Sequence, residues 1–237
     1  MTNLIDLEIT GASKMPGGEY RDVDISGAGK IEGDLRCKSL DISGSGKVNG
    51  GVVCEGSVDC SGASKIYGGL EAEHLNASGA FEVEGYCEIH GDVDTSGAAK
   101  FQSALRANSI DVSGSFSCAG DVTAEQFSGD GLCKIEGLLN AETVELRLVG
   151  NSSISDIGGS EITVKSERRW HLFRSDFCTL SCNSIEGDRI DLECTEAEIV
   201  RGKTVSIGPG CRVRRVEFAE KLTTAADAII GEKIQIS

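Results

Sequence analysis

Aromatic residues make up only 5% of the 237-residue chain, and there are two prolines, one Trp and no long apolar run. Each shortage excludes something. So few rings cannot dominate a core. Basic residues are also short, with Lys+Arg 23 against Asp+Glu 38 and a formal charge of −15. Such a surface has little with which to neutralise phosphates, so nucleic-acid binding is not expected. No apolar run approaches the ~18 residues of a membrane span, and no export signal is read at the start. The expectation is a cytoplasmic protein, with at most peripheral contact at the inner face of the cell membrane. Its ten Cys then read as reduced thiols. What the chain does have is glycine, 31 residues of it. Gly and Pro together stay below the ~25–30% of a low-complexity chain.

An internal repeat accounts for the glycine. The decapeptide DISGAGKIEG at Asp24 recurs as DISGSGKVNG at Asp41, DCSGASKIYG at Asp59 and NASGAFEVEG at Asn76. It continues as DTSGAAKFQS at Asp94, DVSGSFSCAG at Asp111 and SGDGLCKIEG at Ser128, and an earlier copy, EITGASKMPG, starts at Glu8. The starts are 16 to 18 residues apart. A second element, an octet with apolar residues at positions 1, 6 and 8, fills the rest of the period. It reads LRCKSLDI at Leu35, LEAEHLNA at Leu70, LRANSIDV at Leu105, LNAETVEL at Leu139 and IGGSEITV at Ile157. Toward the C-terminus it is read as IEGDRIDL at Ile185, VRGKTVSI at Val200, CRVRRVEF at Cys211 and IIGEKIQI at Ile229, with uneven steps of 15, 11 and 18.

Within a period the apolar residues alternate, which is the strand signature, and no 3.6-residue spacing appears. A fixed period of short strands is the pattern of an all-β, single-stranded parallel β-helix, or β-solenoid. Equivalent residues then stack in columns at the ~4.8 Å strand spacing. Ile31, Val48, Ile66, Val83, Phe101, Cys118 and Ile135 form one core column; Leu40, Val58, Leu75, Val93, Ile110, Phe127 and Val144 form another. Cys37, Cys54, Ala72, Ala107, Ala124 and Ala141 form a column of small residues. Gly27, Gly44, Gly62, Gly79, Gly97, Gly114 and Gly131 form a glycine column, for which a positive φ at a corner is the expected reason. Roughly thirteen coils at ~4.8 Å give an expected rod of about 60 Å. Three segments are read: regular repeats over 1–164, an irregular coil or inserted loop over 165–184, and irregular coils over 185–237. Residues 165–237 hold 12 basic and 12 acidic residues, so the whole acidic excess lies on 1–164.

No candidate for chemistry survives inspection. Gly44-Ser-Gly-Lys47 resembles the end of a phosphate loop, but Asp41 and Val48 stand where that motif needs Gly and Ser/Thr. Cys178 and Cys182 lack a second ligand pair for a metal, and His74, His90 and His171 do not stack. No catalytic residue, cofactor or metal is therefore expected. The column Asp24, Asp41, Asp59, Asn76, Asp94 and Asp111 is read as corner residues bonding backbone N–H groups, in preference to a cation ladder. Lys30, Lys47, Lys65, Lys100 and Lys134 form a basic column six positions on.

The DISG(A/S)GK(I/V)xG repeats and the strand that follows them resemble the bactofilins, a family of bacterial polymer-forming cytoskeletal proteins. The likeness is strongest over Glu8–Val164, and the octets from Ile185, including VSIGPGCRVRRVEF, resemble a Firmicutes-type branch of that family. The resemblance implies a right-handed, three-sided β-helix. It also implies nucleotide-free filaments formed by end-to-end stacking, and a scaffold role in cell shape, division or motility. The implied partners are further copies of the chain, another bactofilin-like protein, or a cell-envelope or motility protein.

Solenoid ends expose strand edges unless capped. Leu4, Ile5, Leu7 and Ile9 at one end and Ile229, Ile230, Ile234 and Ile236 at the other are the candidate self-association residues. AEKLTTAADA (219–228) is read as a possible capping helix. The competing reading is a non-polymerising β-helix scaffold that recruits a partner through Arg168, Arg169, Trp170, Leu172, Phe173 and Arg174, a group with interface composition.

Overall fold

The structure, a computed structural model, describes residues 4–166 and 178–236. Every element among them is a β-strand, and neighbouring strands pair in parallel. The chain forms two compact units, Met1–Gly120 and Asp121–Ser237. Each is a β-solenoid. Arg168, Arg169, Trp170, His171, Leu172, Phe173 and Arg174 lie outside the described residues.

In the first unit a coil is three short strands. One coil is Ser57–Cys60, Ala63–Ile66 and Leu70–Ala72; the next is His74–Ala77, Ala80–Val83 and Cys87–Ile89. Burial alternates along each strand, so every second side chain enters the interior. The register confirms the core columns, with Ile31 on Val48 on Ile66 on Val83 on Phe101, all at most 1% exposed. Leu40, Val58, Leu75, Val93 and Ile110 stack likewise. The column of small residues is less uniform than the sequence reading. Ala72 pairs with Ile89, so a large residue interrupts it.

The interior is filled coil by coil. Two inward positions four residues apart share the interior: Ile25 with Gly29, Ile42 with Gly46, Cys60 with Ser64 and Ala77 with Phe81 trade volume, whereas Thr95 and Ala99 are both small and Val112 and Phe116 both large. All these residues are buried. A Cβ on Gly46 would lie 3.0 Å from the Ile42 side chain, and one on Gly29 would lie 2.8 Å from Ile25. The Gly46 of GSGK is thus an interior packing residue. The Phe81 ring occurs where its partner position, Ala77, is small. Phe81, Phe101 and Phe116 contact one another with centroids 6.1 and 5.5 Å apart. Cys60 Sγ and Ser64 Oγ satisfy each other at 3.1 Å. Thr95, 3% exposed, has no partner for its hydroxyl among the described residues. Thr95→Val keeps the shape and removes that unmet group, so it should stabilise the fold by about 1 kcal/mol, read as a higher denaturant midpoint at unchanged m.

The glycine column has a different cause from the one expected. Among the described residues positive φ occurs at Gly18, Gly33, Gly210 and Cys194, not at Gly27, Gly44, Gly62, Gly79, Gly97 or Gly114. The column is fixed by close backbone approach. The Gly62 carbonyl accepts the Ala80 N–H at 2.9 Å, and a Cβ on Gly79 would sit 1.8 Å from that oxygen. The same clash, at 1.9–2.4 Å, would occur at Gly27, Gly44, Gly62, Gly97 and Gly114.

In the second unit the strands are longer: Val122–Leu148, Ser152–Ser166, Leu180–Leu192, Thr195–Ile207, Arg212–Thr224 and Ile229–Gln235. Leu139 pairs with Ile157, Ile157 with Ile185, Ile185 with Val200, and Val200 with Val216. This corrects the C-terminal octets. The unit placed at Cys211 begins at Val216, and Lys233 follows above it, so the steps from Ile185 run 15, 16 and 17. Val216 and Phe218 filled the sixth and eighth places of the misread octet, which is why the wrong phase looked apolar. The 28-residue step from Ile157 to Ile185 contains residues 167–177. The capping helix is also corrected. Residues up to Thr224 are strand, because Leu222 pairs above Val205 and strand pairing overrides the helix preference of AEKL.

Candidate assembly surfaces

Two kinds of surface stand out: strand edges and charged ladders. In the first unit Leu7–Ile9 pairs with Asp22–Ile25, and Leu7 and Ile9 are buried beneath that contact, whereas Ile5 is 67% exposed. Leu4 is half-buried. In the second unit Ile229–Gln235 pairs with Arg212–Thr224 on one side, and among the described residues its other edge carries no strand. There Ile229 is 57% exposed and Ile230, Ile234 and Ile236 are half-buried. The eight candidate residues thus fall four to each unit, and Ile5 and Ile229 are the two that present most of their side chain.

The acidic column is a ladder on strand faces rather than a set of corner caps. Asp24, Asp41, Asp59, Asn76, Asp94 and Asp111 pair in sequence, each in a strand and pointing outward. Asp59 accepts hydrogen bonds from Ser57 Oγ at 2.6 Å and Asn76 Nδ2 at 2.7 Å. Among the described residues no backbone N–H is bonded to Asp24, Asp41, Asp94 or Asp111. That role belongs to Asp34 and Asp121, which accept the Gly51 and Leu138 N–H groups at 2.8 and 2.9 Å. Partial burial, then Asp24 and Asp59, push the Asp41 carboxyl above its usual range. A raised native pKa means the charged form weakens the fold at neutral pH, and that loss is recovered as pH falls through the raised value. Asp41→Asn should therefore raise the melting temperature at pH 7, with the advantage gone at pH 3, where Asp41 is protonated folded or unfolded.

The basic column continues the same way. Lys14, Lys30, Lys47 and Lys65 stack, Glu82 takes the next place and Lys100 follows. The sequence reading missed both Lys14 and Glu82. Lys65 and Lys100 reach Glu82 at 3.3 and 3.6 Å, and Lys65 reaches Glu84 at 2.8 Å. Lys14 and Lys30 meet Glu32 at 2.8 and 2.9 Å and, with Asn49, hold its carboxyl down near 2. Among the described residues Lys47 has no ion pair.

The second unit handles charge by alternating sign between neighbouring strands. Arg189 meets Glu161 at 2.7 Å, Arg201 meets Glu186 at 2.9 Å and Glu217 at 2.7 Å, Lys203 meets Asp188 at 3.0 Å, and Arg214 meets Glu198 at 2.5 Å. These cross-strand pairs are the physical content of the neutral C-terminal composition. A 560 Å³ hollow on this unit is lined by Ser153, Ser181, Cys182, Glu196, Arg212 and Arg214, among others. Eight of the ten cysteines are buried and all are free. Burial pushes the Cys133 and Cys182 thiols up to about 12, and the Cys54 sulfur, together with burial, pushes the stacked Cys37 thiol far up. Among the described residues no group of three His, Cys, Asp or Glu is placed to hold a metal.

Two curated relatives match part of the chain. "Uncharacterized protein YhbF" of Bacillus subtilis (strain 168) is 43% identical over 101 residues, 42% of the chain and 42% of the relative. "Uncharacterized protein YhbE" of the same organism is 36% identical over 100 residues, 41% of the chain and 42% of the relative. The matches thus span less than half the length of either relative. No family model matches the chain. No solved structure matches it either. No described helix is long and apolar enough to cross a membrane.

Proposed function

We propose that the chain is a structural protein of the bactofilin kind, a cytoplasmic scaffold that self-assembles without nucleotide by adding coil edge to coil edge. The observation that carries this reading is the outer edge of Ile229–Gln235, a parallel strand whose second side meets no strand among the described residues, with Ile229 57% exposed. Such an edge templates another strand unless charge, Pro or a covering element blocks it.

The test is negative-stain microscopy of the full chain in nucleotide-free buffer, beside a variant carrying Ile230→Lys and Ile234→Lys. Elongated assemblies are expected for the parent. The variant, checked by its melt to be folded, should form assemblies shorter by about tenfold, because two edge charges weaken strand addition. Assemblies of unchanged length in the variant would remove this edge from the account.

A further inference from the structure

The two ladders of the first unit carry complementary charge at the same pitch, since both are set by the ~4.8 Å strand spacing. They are also matched over most coils, the exception being the last, where Asp111 shares its coil with Ser117. Asp24 shares a coil with Lys30, Asp41 with Lys47, Asp59 with Lys65, and Asp94 with Lys100. In the one coil where the lysine is replaced by Glu82, the aspartate is replaced by Asn76. The two replacements sit on different strands, His74–Ala77 and Ala80–Val83. No contact between Asn76 and Glu82 accounts for their coincidence.

From this pattern we propose that a second copy docks side by side on the unit Met1–Gly120. Its aspartate ladder lies against the lysine ladder of the first copy, parallel and in coil-for-coil register. In that register Asn76 of one copy faces Glu82 of the other, and no carboxylate meets a carboxylate. A slip of one coil would set Asp59 or Asp94 against Glu82. The surface suits close approach. The outward residues beside the lysines are short, Ser45, Ala63, Ala80 and Ala98, and all are exposed. Lys30 and Lys47, with Asn49 and Tyr67, line an open hollow of 510 Å³, wide enough to admit carboxylates from a neighbour. On the aspartate face Asp24, Asp41, Asp94 and Asp111 have no cation of their own among the described residues, so a partner's lysines would relieve the repulsion along the ladder. Each copy offers one face of each sign, so the contact is heterologous and adds copies sideways, in a ring or an open row according to the rotation between neighbours.

This inference rests on the self-assembly reading but concerns a different surface, and charge exchange separates the two. One variant carries Asp41→Lys and Asp94→Lys, a second carries Lys47→Asp and Lys100→Asp, and a third carries all four. Each is checked for an unchanged melt, then measured by sedimentation and by assembly width in negative stain at low salt. Either single-face variant should lose side-by-side association by about tenfold or more, and the four-fold variant should regain it. Asn76→Asp should weaken it alone. In 1 M salt, where the Debye length is ~3 Å, the parent should lose it too. Widths unaffected by single-face reversal, or no recovery in the four-fold variant, would overturn the proposal. Long assemblies that never widen would overturn it while sparing edge addition. Side-by-side pairs that never lengthen would do the reverse, and a monomer under all conditions would remove both.

Discussion

Gly79→Ala is expected to destabilise the fold by more than about 3 kcal/mol, far beyond an ordinary glycine-to-alanine change. The added Cβ would lie 1.8 Å from the Gly62 carbonyl oxygen, and that oxygen is held in place by the Ala80 N–H at 2.9 Å. Relief requires the two coils to part, which breaks this bond and its neighbours in the ladder. The rest of the column would carry the damage along, because Gly97 sits above the Gly79 carbonyl at a distance of 2.0 Å from its own absent Cβ. If the column served positive φ, the cost would be the smaller one of a strained turn. Urea denaturation of the full chain beside Ser78→Ala, an exposed neighbour, separates these. The control should match the parent, and a near-parental midpoint for Gly79→Ala would refute the stacking account.

The second large effect lies inside the coil. Phe81→Ala should cost about 3–5 kcal/mol, since the ring is 1% exposed and fills the space that Ala77 leaves. The volume-exchange account adds a sharper expectation. Ala77→Ile alone should overpack by about 1–3 kcal/mol, and Phe81→Gly alone should leave a cavity. Combined, they recreate the arrangement of Ile25 with Gly29 and Ile42 with Gly46, so the double variant should recover much of the loss. The coupling expected for such contacting residues is about 1–3 kcal/mol in a double-mutant cycle. Additive losses would mean that the two positions do not share one space.

Much of this was legible in the chain before any coordinates. The SGxGK repeats at 16 to 18 residues placed Ile31, Val48 and Ile66 in one column, and the strand register puts them there. What alternation cannot reveal is why a residue is small. Gly27 and Gly46 look alike in sequence, yet one faces a carbonyl of the coil below and the other faces the side chain of Ile42. Phase was legible where Asp, Gly and Lys mark it and illegible after Ile185, where only apolar spacing remains. CRVRRVEF satisfies that spacing in the wrong phase. The aspartate column was visible, but its role was not. An outward Asp within a strand and an Asp capping a corner have the same neighbours in sequence, and only the register shows that Asp34 caps while Asp41 does not. The Asn76 and Glu82 replacements were likewise on the page, but their shared coil acquires meaning only once the two faces are separated.

The central claim, that this solenoid is a self-assembling structural protein, is tested most directly by sedimentation velocity of the full chain in nucleotide-free, low-salt buffer over a wide range of concentrations. The account predicts a weight-average sedimentation coefficient that climbs with concentration into large assemblies. A single sharp boundary at the monomer value, unchanged across the range, would contradict it.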